Sequence, residues 1–163
     1  MSTNFPLAYH ITFGTYGRRL HGDSRGTVDR SRNNHGDPII GSDPSRWERE
    51  ETLLRFEPVD LSVTQRQLIE LVLPQICERG GWIYHVGAAK PDHIHVLLGA
   101  KRDGEAVRKW LKRWLGEHLS IEWPLASEAT WWAECGSVKW VWEEQYFANI
   151  FDYITKQRIT PAP

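Results

Sequence analysis

The stretch that decides the fold is PDHIHVLLG at Pro91–Gly99. Side chains of an extended strand alternate between its two faces, so His93 and His95 share one face while Ile94 points the other way. The apolar residues that follow, through Leu98, predict a buried strand. Two imidazoles on one face can chelate a metal ion, or they can simply form the polar face of a half-buried sheet. The His-x-His pair alone leaves both readings open.

The flanking sequence predicts the remaining elements. WIYHVG just upstream is rich in β-formers, and the short connection to His93 indicates a hairpin. Ser62 or Thr64 has the character of a helix cap, and Gly80-Gly81 ends that helix. In chain order, the predicted elements are a strand at Leu7–Thr15, a helix from Ser62 to Gly80, strands at 82–87 and 93–99, a helix at Gly104–Leu119, a strand at Ser137–Trp142 and a helix at Glu143–Arg158.

This order predicts an α+β fold: a mainly antiparallel sheet with helices packed on one face, close to a ferredoxin-like arrangement, plus a C-terminal helix. We expect one domain over residues 1–163 with a long loop insertion at about 17–57. The insertion is rich in glycine, aspartate and asparagine, and Pro44–Arg55 within it predicts a short helix. It holds His21 and several arginines, so it either grips a ligand or is a solvated loop.

Composition narrows the class of protein. A length of 163 residues can bury a real core, and a net charge of −1 argues against an avid, generic polyanion binder. Cys77 and Cys135 are in no metal-ligand spacing and suit a reducing compartment. No signal peptide is apparent, and no apolar run approaches the ~20 residues that span a bilayer. We expect a soluble cytoplasmic protein that does not contact membranes.

Charge is concentrated on the helix that follows the histidine strand. Residues 101–119 hold six Lys or Arg against three acids, and the apolar positions of this stretch recur at helical spacing. The opposite side could be an ordinary solvated face or a track for phosphates. Trp110 and Trp114 lie on the apolar stripe and read as core. Trp131 and Trp132, in irregular chain, are the better candidates for stacking unpaired bases.

The last helix carries the second candidate constellation. Tyr153 and Gln157 are four residues apart, so both side chains lie on one helical face. A phenol is a poor nucleophile alone, but beside a divalent cation and a phosphodiester it can attack phosphorus. Gln157 could add a neutral oxygen ligand to the two imidazoles. Taken by itself, the pattern favours Tyr153 as a packing residue.

Together these motifs resemble a known family. HIH followed by an apolar strand, then Tyr-x-x-x-Gln on the final helix, is similar to the single-tyrosine HUH transposases. These are the insertion sequence 200-like transposases and the branch of REP-associated tyrosine transposases. The opening YHITFGTYGRR and the segment PDHIHVLL also look like this family, whereas the insertion at about 17–57 departs from its compact members.

The resemblance implies a metal-dependent endonuclease and strand transferase that acts on single-stranded DNA at hairpin-bearing sites. His93, His95 and Gln157 would hold Mg²⁺ or Mn²⁺, and Tyr153 would be the nucleophile that forms a 5′-phosphotyrosine. A homodimer stays open, since some members are dimers and others tend to be monomers. The expected DNA-contacting residues are Arg108, Lys109, Lys112 and Arg113 on the basic helix and Arg18 and Arg19 after the first strand.

Two other functions stay open at this point. A domesticated relative that no longer mobilises DNA would keep the same site and process repeats in its host genome. A non-catalytic nucleic-acid-binding module would use the histidines only as structure. The joint presence of His93, His95, Tyr153 and Gln157 speaks against the second alternative.

Overall fold

A computed structural model describes residues 4–18 and 54–161 of the chain. The insertion residues 19–53, with Arg19 and nearly all of the short helix predicted at 44–55, lie outside the described residues. The described elements, in chain order, are β1 (Ala8–Gly14), α1 (Val63–Gly80), β2 (Ile83–Ala89), β3 (His93–Gly99), α2 (Gly104–Glu122), β4 (Ser137–Val141) and α3 (Glu144–Thr155).

The four strands form one antiparallel sheet in the order β2-β3-β1-β4. The sequence of elements, β1-α1-β2-β3-α2-β4, combined with this order is the ferredoxin-like arrangement, with α3 appended. The predicted α+β fold class is therefore confirmed. β1 and β3 are the two central strands, and in their register Thr12 lies opposite His95 and Gly14 opposite His93.

One face of the sheet builds the main core. Ile11 and Phe13 of β1, with Ile94 and Val96 of β3, are almost fully buried on this face. α1 and α2 cover them, and Leu115 of α2 joins the same cluster. The alternation read from the sequence thus corresponds to a layer of apolar side chains beneath two helices.

Helix α1 begins and ends where its sequence predicts. The Ser62 hydroxyl accepts from Gln65 N–H at 3.1 Å, and the Gln65 side chain accepts from Ser62 N–H at 2.9 Å. This reciprocal pair is a capping box. Gly81 follows the helix with φ 73°, a left-handed conformation that glycine adopts without strain.

Helix α3 covers the opposite face of the sheet. Its Ile154 is fully buried in a small apolar cluster, against which Ile150 and Phe147 pack. The Phe147 ring also meets His85 edge-on at 4.8 Å, next to the register shift between β2 and β3. α1 and α2 share one face, as expected, while the C-terminal helix packs on the other.

Both ends of the insertion meet beside β1. Val59 N–H donates to the Tyr16 carbonyl at 2.8 Å, and a Cβ at Gly17 would lie 2.9 Å from Pro58. Gly17 has φ 76°, so both space and backbone conformation require glycine there. Within the described ranges, no helix is long and apolar enough to cross a membrane.

A buried carboxylate ties the chain after α3 to the body of the fold. Glu70 of α1 is 2% exposed and accepts from Ala89 N–H of β2 at 3.0 Å. It also accepts from Ile159 N–H at 3.0 Å, from Thr160 N–H at 2.9 Å and from the Thr160 hydroxyl at 2.6 Å. Arg158 adds donor bonds to the Tyr84 hydroxyl and the Gly87 carbonyl, both at 3.0 Å.

This network explains a difference from the sequence-based prediction. The last helix was expected to continue to Arg158, yet α3 ends at Thr155. The Arg158 guanidinium turns back to β2, and the next two backbone N–H groups bind Glu70. These contacts stabilise the chain after Thr155 more than another helical turn would.

We predict that Glu70→Ala destabilises the protein by about 2–4 kcal/mol, because it leaves buried donors without an acceptor. Urea unfolding followed by circular dichroism measures the change. Glu117→Ala is the matched control, since Glu117 is half exposed and makes only surface ion pairs, worth at most ~1 kcal/mol. Equal losses in the two variants would contradict the assigned role of Glu70.

Candidate functional site

The two strand histidines lie side by side on the face that carries α3. The His93 and His95 rings have centroids 4.8 Å apart and are nearly perpendicular, with an interplanar angle of 85°. His95 is buried and His93 half-buried. Their shared face follows from β3, in which Ile94 and Val96 occupy the core on the other side.

Each of these rings is oriented through its Nδ1 atom. His93 Nδ1 lies 2.6 Å from Asp92 Oδ1. His95 Nδ1 lies 3.1 Å from the Thr12 hydroxyl and 3.1 Å from His10 Nε2. Histidines that bind metals typically use one ring nitrogen for a carboxylate or other polar partner and the other nitrogen for the metal.

His10 of β1 is buried beside His95. Burial, with a smaller contribution from Lys139, lowers its pKa to about 4, so the ring is neutral at pH 7. Its ring stacks with His95 at a centroid distance of 5.3 Å. A neutral His10 Nε2 can accept from His95 Nδ1–H, and in that tautomer His95 Nε2 carries the lone pair needed by a metal.

Helix α3 brings Tyr153 to the histidines of its own chain. The Tyr153 ring meets the His95 ring edge-on, with centroids 5.6 Å apart and an interplanar angle of 82°. Tyr153 is 52% exposed, although the next residue, Ile154, is fully buried. The packing of Ile154 therefore sets the rotation of α3 and leaves the phenol at the edge of the interface, open to solvent.

Gln157 lies just beyond the end of α3. Its side-chain amide donates to the Tyr153 carbonyl at 3.4 Å, and its backbone N–H donates to the Ile154 carbonyl at 2.9 Å. It is thus close along the chain to Tyr153 but bonded to the helix terminus. Within residues 4–18 and 54–161, no group of three His, Cys, Asp or Glu side chains could hold a metal ion.

Three residues of this site were not predicted as site residues: His10, Thr12 and Asp92. The sequence does contain a pattern that could have indicated His10 and Thr12: they are two residues apart in YHITFGT, so both side chains lie on one face of β1. That face meets His95 only through the β1–β3 register, which the sequence alone does not supply. The Asp92 carboxylate, directly before β3, contacts His93.

The basic helix is less exposed than its sequence predicts. Arg108 was expected on the polar side of the helix, either solvated or in contact with phosphates. It is 4% exposed, and its guanidinium donates to the Gly136 carbonyl at 3.2 Å. Lys112 donates to the carbonyls of Ala133 and Glu134, at 2.6 and 3.3 Å. Burial and the neighbouring Arg108 lower the Lys112 pKa to about 8. These side chains hold residues 133–136 against α2 because those carbonyls point back at the helix.

The other predicted DNA contacts have different surroundings. Lys109 is exposed, and Arg113 pairs with Glu117 at 3.4 Å while lying over the Trp110 ring. Arg18 makes a two-point ion pair with Asp60, at 3.0 and 2.7 Å. Of the six predicted residues, Lys109 and Arg113 present the most accessible positive charge in the described part of the chain.

The predicted exposure of the tryptophans is also wrong. Trp131 and Trp132 are each 6% exposed, and their indole N–H groups donate to the Ser120 hydroxyl and the Lys112 carbonyl. Irregular backbone here is buried structure rather than an exposed loop. Trp110, which was assigned to the core, is 44% exposed.

Comparison with known proteins supports the fold. A crystal structure at 1.90 Å resolution of a protein from Deinococcus radiodurans R1, described as a "putative transposase", is similar, with a TM-score of 0.50 and 18% sequence identity. The alignment covers 98% of this chain and 97% of that one. No protein-family model and no curated protein matches the sequence. The likeness is therefore one of fold over essentially the whole chain.

We predict that stability falls as pH decreases from about 6.5 to about 4, by up to about 3 kcal/mol from His10. The folded state holds His10 neutral, whereas the unfolded chain takes up a proton below its pKa of about 6.5. The stabilisation is therefore complete above pH 6.5 and is lost progressively as the pH falls to about 4. Urea unfolding across this pH range, with a chelator present, measures the effect. His10→Gln should flatten this part of the pH dependence, and an unchanged pH dependence in His10→Gln would contradict the assignment.

Proposed function

We propose that this protein is a metal-dependent endonuclease and strand transferase for single-stranded DNA, of the single-tyrosine HUH type. The observation that carries the proposal is the contact between Tyr153 and His95. A solvent-exposed phenol from the last helix meets a histidine pair from a central strand, although 58 residues separate them in sequence. The whole-chain likeness to a structure described as a transposase agrees with this function.

His93 and His95 would hold the metal through Nε2, since their Nδ1 atoms face Asp92, Thr12 and His10. Two imidazoles with oxygen ligands from Gln157, water or the DNA phosphate suit Mn²⁺ as well as Mg²⁺. Gln157 could join after rotation of its side chain away from the Tyr153 carbonyl. A divalent cation there supplies charge stabilisation for the phosphate undergoing attack.

The chemistry follows from the placement of Tyr153. Its oxygen attacks phosphorus, a P–O bond to tyrosine forms and the P–O3′ bond of the DNA breaks. The phenolic proton passes to solvent, and the departing 3′ oxygen takes a proton to become a free hydroxyl. The 5′-phosphotyrosine conserves the phosphodiester bond energy, so the reverse attack by another 3′-hydroxyl joins a new end without a nucleotide cofactor.

The arrangement supports catalysis within a single copy of the chain. Tyr153 and both histidines belong to the same chain, and Glu70 with Arg158 ties the residues after α3 to β2 and α1. A second copy is therefore not needed to complete the site. DNA with a hairpin beside the cleaved strand stays the proposed substrate, with Lys109 and Arg113 as accessible phosphate contacts.

We predict that Tyr153→Phe abolishes covalent protein–DNA adducts while leaving DNA binding within about twofold of wild type, because the substitution removes only the nucleophilic oxygen. A denaturing gel of protein incubated with a pool of single-stranded hairpins and Mn²⁺ measures adducts. Tyr146→Phe, on the same helix, is the matched control and should retain them. Adducts that persist in Tyr153→Phe and vanish in Tyr146→Phe would reassign the nucleophile to Tyr146.

We predict that His93→Ala weakens Mn²⁺ binding at least tenfold, and that Asp92→Asn weakens it by about tenfold, because the Asp92 carboxylate orients the His93 ring. Titration calorimetry without DNA measures both. His85→Ala is the control, since His85 packs on Phe147 in the apolar part of the same face. Equal Mn²⁺ affinity in His93→Ala and His85→Ala would contradict the metal assignment.

A further inference from the structure

Three tryptophans form a stack that runs from the core to the surface, away from the histidine site. Trp82 at the start of β2 is 7% exposed and stacks on Trp114 of α2, with ring centroids 5.5 Å apart and an angle of 26°. Trp114 is half-buried and contacts Trp110 at 5.3 Å and 38°. Trp110 is 44% exposed, so the row of tryptophans ends in an indole that is partly open to solvent.

Arginines surround this stack. The Arg79 guanidinium lies 4.4 Å from the Trp114 ring centroid, and that of Arg113 lies 5.3 Å from the Trp110 ring centroid. Together with Arg102, Arg79 lines a groove of about 250 Å³ beside the tryptophans. The described residues that line it include no acid. The only carboxylate paired with these arginines in the described part of the chain is that of Glu117, at 3.6 Å from Arg79 and 3.4 Å from Arg113.

Gly80 and Trp82 form part of the groove wall. A Cβ at Gly80 would lie 2.4 Å from the Trp82 ring, so only glycine lets this indole lie against the end of α1. The Trp82 indole N–H is buried and has no hydrogen-bond partner in the described ranges. Buried donors in native proteins nearly always have a partner, so this indole N–H is an unmet donor in a residue that lines the groove.

We propose that this groove binds a nucleobase and its phosphate from single-stranded DNA, as a second contact separate from the histidine site. An exposed indole offers a stacking face to any base, and the arginines supply positive charge for the adjoining phosphates. This occupant fits better than an apolar partner because the rim is cationic. The inference rests on the proposed function for the identity of the polymer, though not on the chemistry of Tyr153.

The groove lies far from the nucleophile. Trp82 and Gly104 flank the end of the sheet where β3 finishes at Gly99, whereas the histidines lie where β3 begins. The seven residues of β3 separate these ends by about 20 Å. α2 also packs on the face opposite α3. A DNA strand held in the groove would therefore be anchored away from the scissile phosphate.

The test measures DNA binding by fluorescence anisotropy in a Tyr153→Phe background, in which no cleavage is expected. The probe is a short, fluorescein-labelled single strand of mixed sequence. We expect Trp110→Ala to weaken binding about five- to tenfold. This change in affinity corresponds to the lower part of the range of stacking free energies for one base on one aromatic side chain. Trp110→Phe should restore most of the affinity, because it keeps an aromatic face. Trp140→Ala is the matched control, since Trp140 is 57% exposed on β4.

A second probe separates stacking from charge. An abasic strand of the same length keeps the phosphates but offers no rings, so we expect Trp110→Ala and its parent to bind it equally. Equal affinities of Trp110→Ala and Trp140→Ala for the normal strand would overturn the inference, as would the absence of binding to any strand. Adduct formation by the wild-type protein is scored separately, so failure of this site and failure of the tyrosine mechanism are distinguishable.

Discussion

The alternation of β3 is the constraint on which the rest of the structure depends. Ile94, Val96 and Leu98 are completely buried beneath α1 and α2, so His93 and His95 must face the other side of the sheet. A register slip of one residue would place imidazoles in the apolar core and apolar side chains against α3, and both changes cost free energy. Core packing and the site are thus set by the same strand.

The second half of the site depends on how α3 is held. Ile154 anchors it in a small apolar cluster, and Glu70 binds the chain just after it through three donors. Glu70 also binds Ala89, which neighbours the residue paired with His95. One buried carboxylate therefore links the position of the tyrosine helix to the strands that carry the histidines.

Local signals in the sequence predicted much of the fold and the core of the site. The capping box at Ser62, the alternation in β1 and β3 and the glycine pair after α1 each act over a few residues, so they can be read without tertiary information. Local signals gave the wrong prediction for side chains whose burial depends on contacts distant in sequence. Arg108 lies on the polar side of α2 by helical spacing, but it is buried and donates to the Gly136 carbonyl. Trp131 and Trp132 sit in irregular chain and are nevertheless buried.

The sequence by itself determined which residues of β3 share a face, where α1 begins, and that a tyrosine follows on the last helix. Only the tertiary structure decided that α3 packs on the histidine face and that Tyr153 reaches His95 of its own chain. It also decided that His10 and Thr12 contact the same ring. The physical reason is that strand pairing and helix docking join residues distant in sequence, and their free energy comes from surfaces that exist only once both partners are folded.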